Sequence, residues 1–293
     1  MADLNLLDDD KSSPYPLVLS IKTYMSNINS SKEIILGLIH QTYTYKKNDK
    51  ILINIVTDNE VKENTSSVSP AMKFVGTLEE EYADLIVINY VTYDWGNVTN
   101  IVEALIYIDK MNNNTSEGCS PPYSHDTRLI YCEDKILYPE TMVDTLNVIT
   151  TLDSDNCIWG ATGFDILNMC ITLRKEHGRL VEVIEGYGGV VVPIGSFVTD
   201  FLDYINFIRD TDIILLLNSS DIVISNYFSK QKIPKKIARI DRRDYTFDSI
   251  WSRIKCDGCA SKNMHSRNEV WEAYVDAIYL LSGWKELYLQ ILC

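Results

Sequence analysis

The chain has 293 residues, of which 46% are hydrophobic and 23% charged, as in a soluble globular protein with one large domain or two small ones. Its formal net charge of −14 argues against wrapping a nucleic-acid backbone, so we expect no nucleic-acid partner. No apolar run has the length of a membrane span, and residues 1–13 do not resemble a signal peptide. We therefore expect a cytoplasmic protein with reduced cysteines.

The first half of the chain alternates predicted strands and helices. Apolar runs predict strands at residues 16–22, 50–56, 85–90 and 129–131, with a further short strand at 73–76. Helices are predicted at residues 30–42, 97–109 and 139–150. This order predicts an α/β fold, a mostly parallel central sheet flanked by helices, with ligands bound beyond the carboxyl ends of the strands.

The second half is less regular. Residues 180–184 alternate like a strand, and the glycine-rich segment Glu185–Gly189 leads into Val190–Val192. Helices are predicted at residues 197–208, from Ser219 or Ser220 onward, and at 269–292, where the apolar stripe indicates a packing face. We expect a polar tail at 1–14, one domain at 15–255 and a C-terminal extension with a docked helix at 256–293.

The strand ending at residue 131 leads into adjacent carboxylates. Glu133 and Asp134 follow it, and the chain then turns before Pro139. Oxygen ligands at a strand end suit Mg²⁺, which prefers to share them with the phosphates of a nucleotide. A charged turn without a ligand is the alternative, because acidic residues are common in turns.

Two further clusters leave their alternatives open. Cys256 and Cys259 form a lone CxxC pair, and Cys293 and His265 are the nearby candidates for further zinc ligands, against two ordinary thiols. The basic residues of Lys230–Arg243 indicate a solvated loop and strand, or a surface that faces a diphosphate or an acidic glycan.

From about Pro16 to Ile233, an ordered series of short motifs resembles the GT-A-fold glycosyltransferases, nucleotide-sugar-dependent enzymes of cells and large viruses. The opening strand through Thr23, and Gln41-Thr42-Tyr43 after the first helix, are similar to the start of that family. The resemblance implies that Thr23, Asn97 and Asn100 contact the donor. Asp58 closes the second strand, where such enzymes place a carboxylate against the base or ribose.

Three of the motifs depart from the family pattern. Tyr93–Asn100 resembles Asp-x-Gly-Pro-x-Thr-Lys, with Asn97 in place of the proline and Asn100 in place of the lysine. The last acid of the metal-binding motif corresponds to Asp134, with Glu133 assisting through ribose or water, while Cys132 replaces the first acid. A thiol is a poor ligand for Mg²⁺.

The resemblance also assigns the acceptor side of the site. Gly186, Tyr187, Gly188 and Gly189 are similar to the element that lines the sugar and acceptor pocket, although a tight turn is the alternative. Asp221 corresponds to the catalytic base and Ser220 replaces the acid before it, with a helix cap as the alternative for Asp221. His265 corresponds to a third metal ligand, with an exposed loop histidine as the alternative.

The resemblance implies an Mn²⁺- or Mg²⁺-dependent transferase. A sugar would pass from a nucleoside-diphosphate sugar to a hydroxyl of a glycan or glycoprotein acceptor, with inversion. Two other hypotheses stay open: a binding module that has lost turnover, which the departures would suit, and a sugar-phosphate nucleotidyltransferase. Abundant Asn, Ile, Lys and Asp are compatible with an AT-rich large DNA virus, for which the host cytoplasm is the expected location.

Overall fold

The computed structural model describes residues 15–57, 69–116, 119–152, 156–167, 170–174, 176–197, 200–210, 217 and 220–238. Within these residues the strands join in one eight-stranded mixed sheet. Seven of them follow the order β3-β2-β1-β4-β7-β5-β6, and β8 pairs with β5 beside this path. The sheet therefore has two halves that meet where β4 pairs with β7.

The first half of the sheet is parallel. Its strands are β1 (Leu17–Tyr24), β2 (Lys50–Val56), β3 (Ile86–Val91) and β4 (Arg128–Glu133). Strand β1 lies between β2 and β4, and β3 pairs with β2. The sequences of β1, β2 and β4 are nearly continuous apolar runs, as expected for strands covered on both faces.

The second half is mixed in direction. Its strands are β5 (Ile158–Leu167), β6 (Cys170–Arg174), β7 (Val183–Pro193) and β8 (Lys235–Ile237). Strand β7 runs antiparallel to both β4 and β5, β6 is antiparallel to β5, and β8 is parallel to β5. As a result, β7 passes the carboxyl end of β4 in its own middle, where its glycines lie.

Helices cover both faces of the sheet. They are α1 (Ile28–Ile39), α2 (Pro70–Glu81), α3 (Thr99–Asn113), α4 (Met142–Leu152), α5 (Phe201–Arg209) and α6 (Ser220–Lys230). Helices α3, α5 and α6 share one apolar cluster with one face of the sheet, and α1, α2 and α4 share the other. This three-layer arrangement confirms the predicted α/β fold class.

One strand predicted from the sequence is wrong, and one alternative for the glycine-rich segment is excluded. Residues 73–76 lie inside α2 and not in a strand, because Ser69 caps the helix by accepting from the Met72 amide and Pro70 occupies its first turn. The glycine-rich segment 185–189 is not a tight turn, because it continues through β7. Strands β5, β6 and β8 were not predicted.

The remaining organisation is only partly covered. Residues 1–14 and 239–293 lie outside the described residues, and with them the predicted tail, the CxxC pair and the C-terminal helix. Within the part of the chain that the structure describes, no helix is both long and apolar enough to cross a lipid bilayer.

Candidate functional site

The candidate site lies where the two halves of the sheet meet. Strand β4 ends at Glu133, which is paired in register with Lys22 of β1, and Asp134 follows directly. Helix α6 brings Asp221 to the same place in its first turn. The backbone amide of Gly186, in the middle of β7, donates a hydrogen bond of 2.7 Å to Oδ1 of Asp221.

Asp134 is anchored through side chains of α1 and β1. Its Oδ2 lies 3.3 Å from the hydroxyl of Ser31, which lies 3.0 Å from the hydroxyl of Thr23. Thr23 and Ser31 are buried, at 0% and 1% exposure, whereas Asp134 is half-buried. Thr23, predicted to contact the donor, thus holds the residue that orients Asp134, and Ser31 is a positioning residue that sequence reasoning missed.

Asp221 combines burial with hydrogen bonding. Burial raises its pKa to about 6, although the hydrogen bonds from the Gly186 amide and from the hydroxyl of Ser220 oppose this rise. The serine that replaces the first acid of the family pattern therefore gives Asp221 a donor in place of a second negative charge. At neutral pH, a carboxyl group with this pKa is largely ionised.

Glu133 lies within electrostatic reach of Asp221. Burial raises the pKa of Glu133 to about 7, and the negative charges of Asp221, Asp134 and Glu185 add to the rise. The backbone amide of Glu133 donates a 2.7 Å hydrogen bond to the hydroxyl of Tyr138, which fixes the end of the strand. Acids that the chain separates by almost ninety residues therefore feel each other's charge at this edge.

Side chains alternate between the two faces of β4. Tyr131 belongs to the apolar cluster beneath α3 and α6, and Cys132 to the cluster on the opposite face. Both side chains are almost completely buried, and burial raises the pKa of the Cys132 thiol. An ionised carboxylate at position 132 would be costly in that cluster, whereas a thiol packs there without a charge.

Lys22 joins the end of β1 to the loop that follows β3. Its Nζ donates to Oδ1 of Asp94 at 2.7 Å, to the carbonyl of Gly96 at 2.8 Å and to the hydroxyl of Tyr24 at 3.0 Å. Burial alone would raise the pKa of Asp94, but the hydrogen bonds from Lys22, Tyr24 and Thr99 outweigh burial, so that the pKa of Asp94 is lowered. The three protons of the ammonium group are thus all directed at atoms of the protein.

Asn100 fastens α3 to the end of β4. It is 4% exposed, and its side-chain Nδ2 donates to the Cys132 carbonyl at 3.1 Å. Its main-chain carbonyl accepts a hydrogen bond of 2.6 Å from the hydroxyl of Ser20. The position of the family's lysine is therefore occupied by an internal hydrogen-bonding residue. Asn97, on the preceding turn, is exposed.

The four positions of the glycine-rich element have different surroundings. A Cβ at Gly186 would lie 3.2 Å from Oδ1 of Asp221, so this glycine permits the close approach. Gly188 packs against Ala161 of the neighbouring strand, and Gly189 has a φ of +84°. The side chain of Tyr187 lies outside the described part of the structure, as do the whole residues Asp58 and His265.

The acids at this edge offer oxygen donors for a metal ion. Among the described residues no group of three or more His, Cys, Asp or Glu side chains is arranged to hold a metal ion. The half-buried carboxylates of Glu133 and Asp134 are oxygen donors, which suit a hard divalent cation better than a soft one. A cation there would also counter the negative charges that raise the pKa of Glu133.

No protein-family model and no curated protein matches the chain. Solved structures similar to it include TarS residues 1–349 from S. aureus, with 10% identity, a TM-score of 0.43, and coverage of 79% of this chain and 59% of that one. A 2-C-methyl-D-erythritol 4-phosphate cytidylyltransferase from Francisella tularensis has 12% identity and a TM-score of 0.38, and the match covers 81% of this chain and 97% of that one. Mouse xyloside xylosyltransferase 1 has 7% identity and a TM-score of 0.32, and the match covers 77% of this chain and 78% of that one.

These solved structures include a glycosyltransferase, the class that the sequence motifs resemble, and a nucleotidyltransferase, the class of one alternative hypothesis. The match spans less than two thirds of the TarS chain. Identities of 12% or less and TM-scores below 0.5 assign no activity and no substrate to this chain.

Proposed function

We propose that this chain is a metal-dependent glycosyltransferase that moves a sugar from a nucleoside-diphosphate sugar to a hydroxyl of a glycan or protein acceptor, with inversion. The observation that carries the proposal is the convergence of Glu133, at the end of β4, with Asp221, at the start of α6. The motifs assign these acids to opposite tasks, donor binding and proton transfer, and such tasks have to meet at one point.

Asp134 is the residue proposed to hold Mn²⁺ or Mg²⁺, with Glu133 beside it and a further ligand from His265. When bound, the ion neutralises the diphosphate, so that charge building on the leaving oxygen costs less. The contribution of the chain is orientation: the hydroxyl of Ser31 contacts Oδ2 of Asp134 at 3.3 Å and holds the carboxylate against α1.

Asp221 is proposed as the base that accepts the proton of the acceptor hydroxyl as that oxygen attacks the anomeric carbon. Its pKa of about 6 leaves it ionised at neutral pH while making it a better proton acceptor than an ordinary aspartate. The bond from the Gly186 amide fixes Oδ1, which leaves Oδ2 to meet an acceptor. Attack from the side opposite the leaving group inverts the configuration.

The two alternatives make different demands on the same residues. A binding module without turnover would have no need of a buried acid with a raised pKa, and the departures at Cys132 and Asn100 have packing and hydrogen-bonding roles that do not require lost activity. A nucleotidyltransferase needs a lysine near the first strand for its phosphates, but all three donors of Lys22 are engaged by Asp94, Gly96 and Tyr24.

The test is incubation of the purified chain with a panel of sugar nucleotides and Mn²⁺. Release of nucleoside diphosphate is the expected result, whereas release of pyrophosphate from a nucleoside triphosphate and a sugar phosphate would support the nucleotidyltransferase. Asp134→Asn should abolish the release. The matched control is Asp126→Asn, an exposed aspartate just before the amino end of β4, which should be as active as the wild type. Binding of a sugar nucleotide without release would support the inactive module.

A further inference from the structure

The loop after β3 carries two aromatic rings at the same edge of the sheet as the candidate site. Tyr93 and Trp95 meet edge to face, with ring centroids 4.6 Å apart and an interplanar angle of 63°. Tyr93 is 44% exposed, whereas Trp95 is half-buried and packs against the core. The pair thus combines an anchored ring with one that is open to a ligand.

A charged pair from the end of α5 lies beside these rings. The guanidinium carbon of Arg209 is 5.8 Å from the centroid of Tyr93 and 5.3 Å from that of Trp95. Nε and Nη2 of Arg209 donate to Asp210 at 2.6 and 2.9 Å, and Nη1 is a donor that this pair does not use. Apolar ring surface, a hydrogen-bond donor and carboxylate acceptors are therefore grouped together on one patch.

The patch is held close to the proposed catalytic acids by the fold. Between the two aromatic residues, Asp94 forms the 2.7 Å ion pair with Lys22, and Lys22 is the register partner of Glu133. The next residue, Gly96, packs tightly on the backbone of Leu217, four positions before Asp221. The loop is thus fixed to β1, which pairs with β4, and to the residue Leu217 that precedes α6.

We infer that Tyr93, Trp95, Arg209 and Asp210 form a binding platform for a pyranose ring of the acceptor glycan; the acceptor role rests on the proposed function. The C–H face of a pyranose carries partial positive charge and packs on the negative face of an aromatic ring. Its equatorial hydroxyls need donors and acceptors around that face, which the arginine and aspartate provide. The edge-to-face geometry forms no parallel slot for a planar nucleobase.

The test is saturation-transfer NMR with methyl pyranosides of glucose, galactose, mannose, xylose and N-acetylglucosamine, without metal or nucleotide. Uridine and cytidine are the planar comparison ligands. We expect transfer to the C–H protons of at least one glycoside, and we expect Tyr93→Ala to weaken that binding about five- to tenfold, as for the loss of one aromatic contact. Tyr93→Phe should retain the binding, because it keeps the ring.

The matched control is Tyr90→Ala. Tyr90 is also 44% exposed and lies three residues earlier, but its charged neighbour is Glu79 of α2. Glycoside binding should survive this change. Equal weakening by both alanine variants, no transfer to any glycoside, or a Tyr93-dependent signal from the nucleosides alone would overturn the inference.

Failure of this inference differs from failure of the proposed function. Nucleoside diphosphate release without glycoside binding would support the proposed transferase and overturn the pyranose-binding platform. Glycoside binding that depends on Tyr93, with no release from any sugar nucleotide, would keep the platform as a glycan site and remove the transferase.

Discussion

The parallel half of the sheet and the mixed half contribute to the site in different ways. In the parallel half, strands end at the site, and the residues just at or beyond the ends, Glu133 and Asp134, supply the carboxylates. In the mixed half, β7 runs past the site, and its backbone at Gly186 holds an acid that belongs to a helix. A strand end offers side chains, whereas a passing strand offers main-chain groups.

The two halves should therefore differ in the effects of substitution. Side chains at a strand end can be replaced without changing the backbone of the strand. Their replacement should therefore change activity more than the free energy of unfolding. The passing strand is buried between β4 and β5, so its replacement should alter geometry and packing together.

Asp221→Asn should reduce sugar transfer by about 10²–10⁴-fold, because it removes the proposed base while keeping the shape of the side chain. Binding of the sugar nucleotide, measured by calorimetry, should stay within a factor of about two, since donor contacts are assigned to the other half. The matched control is Asp203→Asn, an exposed acid in the first turn of α5. A fully active Asp221→Asn variant would show that Asp221 is not the catalytic base.

Asn100→Lys, which introduces the lysine of the family pattern, should destabilise the protein by about 2–4 kcal/mol, because the position is only 4% exposed and the change puts a charge in place of an amide that bonds the Cys132 carbonyl. Urea unfolding measures the effect. Asn97→Lys, on an exposed position of the preceding turn, should change stability by less than about 0.5 kcal/mol. Equal stabilities of the two variants would contradict the internal role of Asn100.

Gly186→Ala should lower transfer about tenfold and stability by about 1 kcal/mol, because a Cβ would lie 3.1 Å from the Tyr131 ring and 3.2 Å from Oδ1 of Asp221. Initial rates and thermal unfolding measure the two effects. Gly37→Ala is the control: it lies in α1 with no atom within 4 Å of the added methyl, so it should gain about 0.5–1 kcal/mol and keep its activity.

Glu133→Gln should change how stability depends on pH. The folded-state pKa of about 7 lies above the ordinary value of 4.5, so the folded protein holds a proton that the unfolded chain releases between these values. Wild-type stability should therefore fall as pH rises from about 4.5 to 7, and the variant should be more stable above pH 7 by about 1–2 kcal/mol after allowance for screening.

Denaturant unfolding across this pH range measures the change, and Glu140→Gln, at an exposed position, is the control. Added Mn²⁺ should reduce the pH dependence of the wild type more than that of Glu133→Gln. A wild-type profile that is flat from pH 4.5 to 7 would contradict the raised pKa of Glu133, and with it the burial of this carboxyl group beside Asp221 and Asp134.

The two halves also differ in how far their structure follows from the sequence. Strands β1, β2 and β4 were predicted because their residues form nearly continuous apolar runs, and α6 because Ser220 and Asp221 give a start signal. Strands β5 and β7 contain glycines where side chains of neighbouring strands approach closely, as at Gly160 and Gly188. Such contacts are long-range, and no local pattern encodes them.

The candidate site divides in the same way. The positions of Glu133, Asp134 and Asp221 could be predicted, because strand ends and helix starts have local signatures. The hydroxyl of Ser31 on Asp134 and the ion pair of Lys22 with Asp94 could not, because each joins residues more than seventy positions apart. The burial of Asn100 could not be predicted either, because it depends on how α3 lies on the sheet.

The bond from the Gly186 amide to Asp221 has a consequence for how this protein can diverge. Its donor is a main-chain group, so the contact does not depend on the identity of the side chains along β7, apart from position 186, as long as β7 stays in register with its neighbours. Related sequences could therefore drift widely along this strand and preserve the same geometry, with only the absence of a side chain at position 186 as a trace. Sequence alignment would therefore miss such an arrangement, whereas superposition of the backbones would find it.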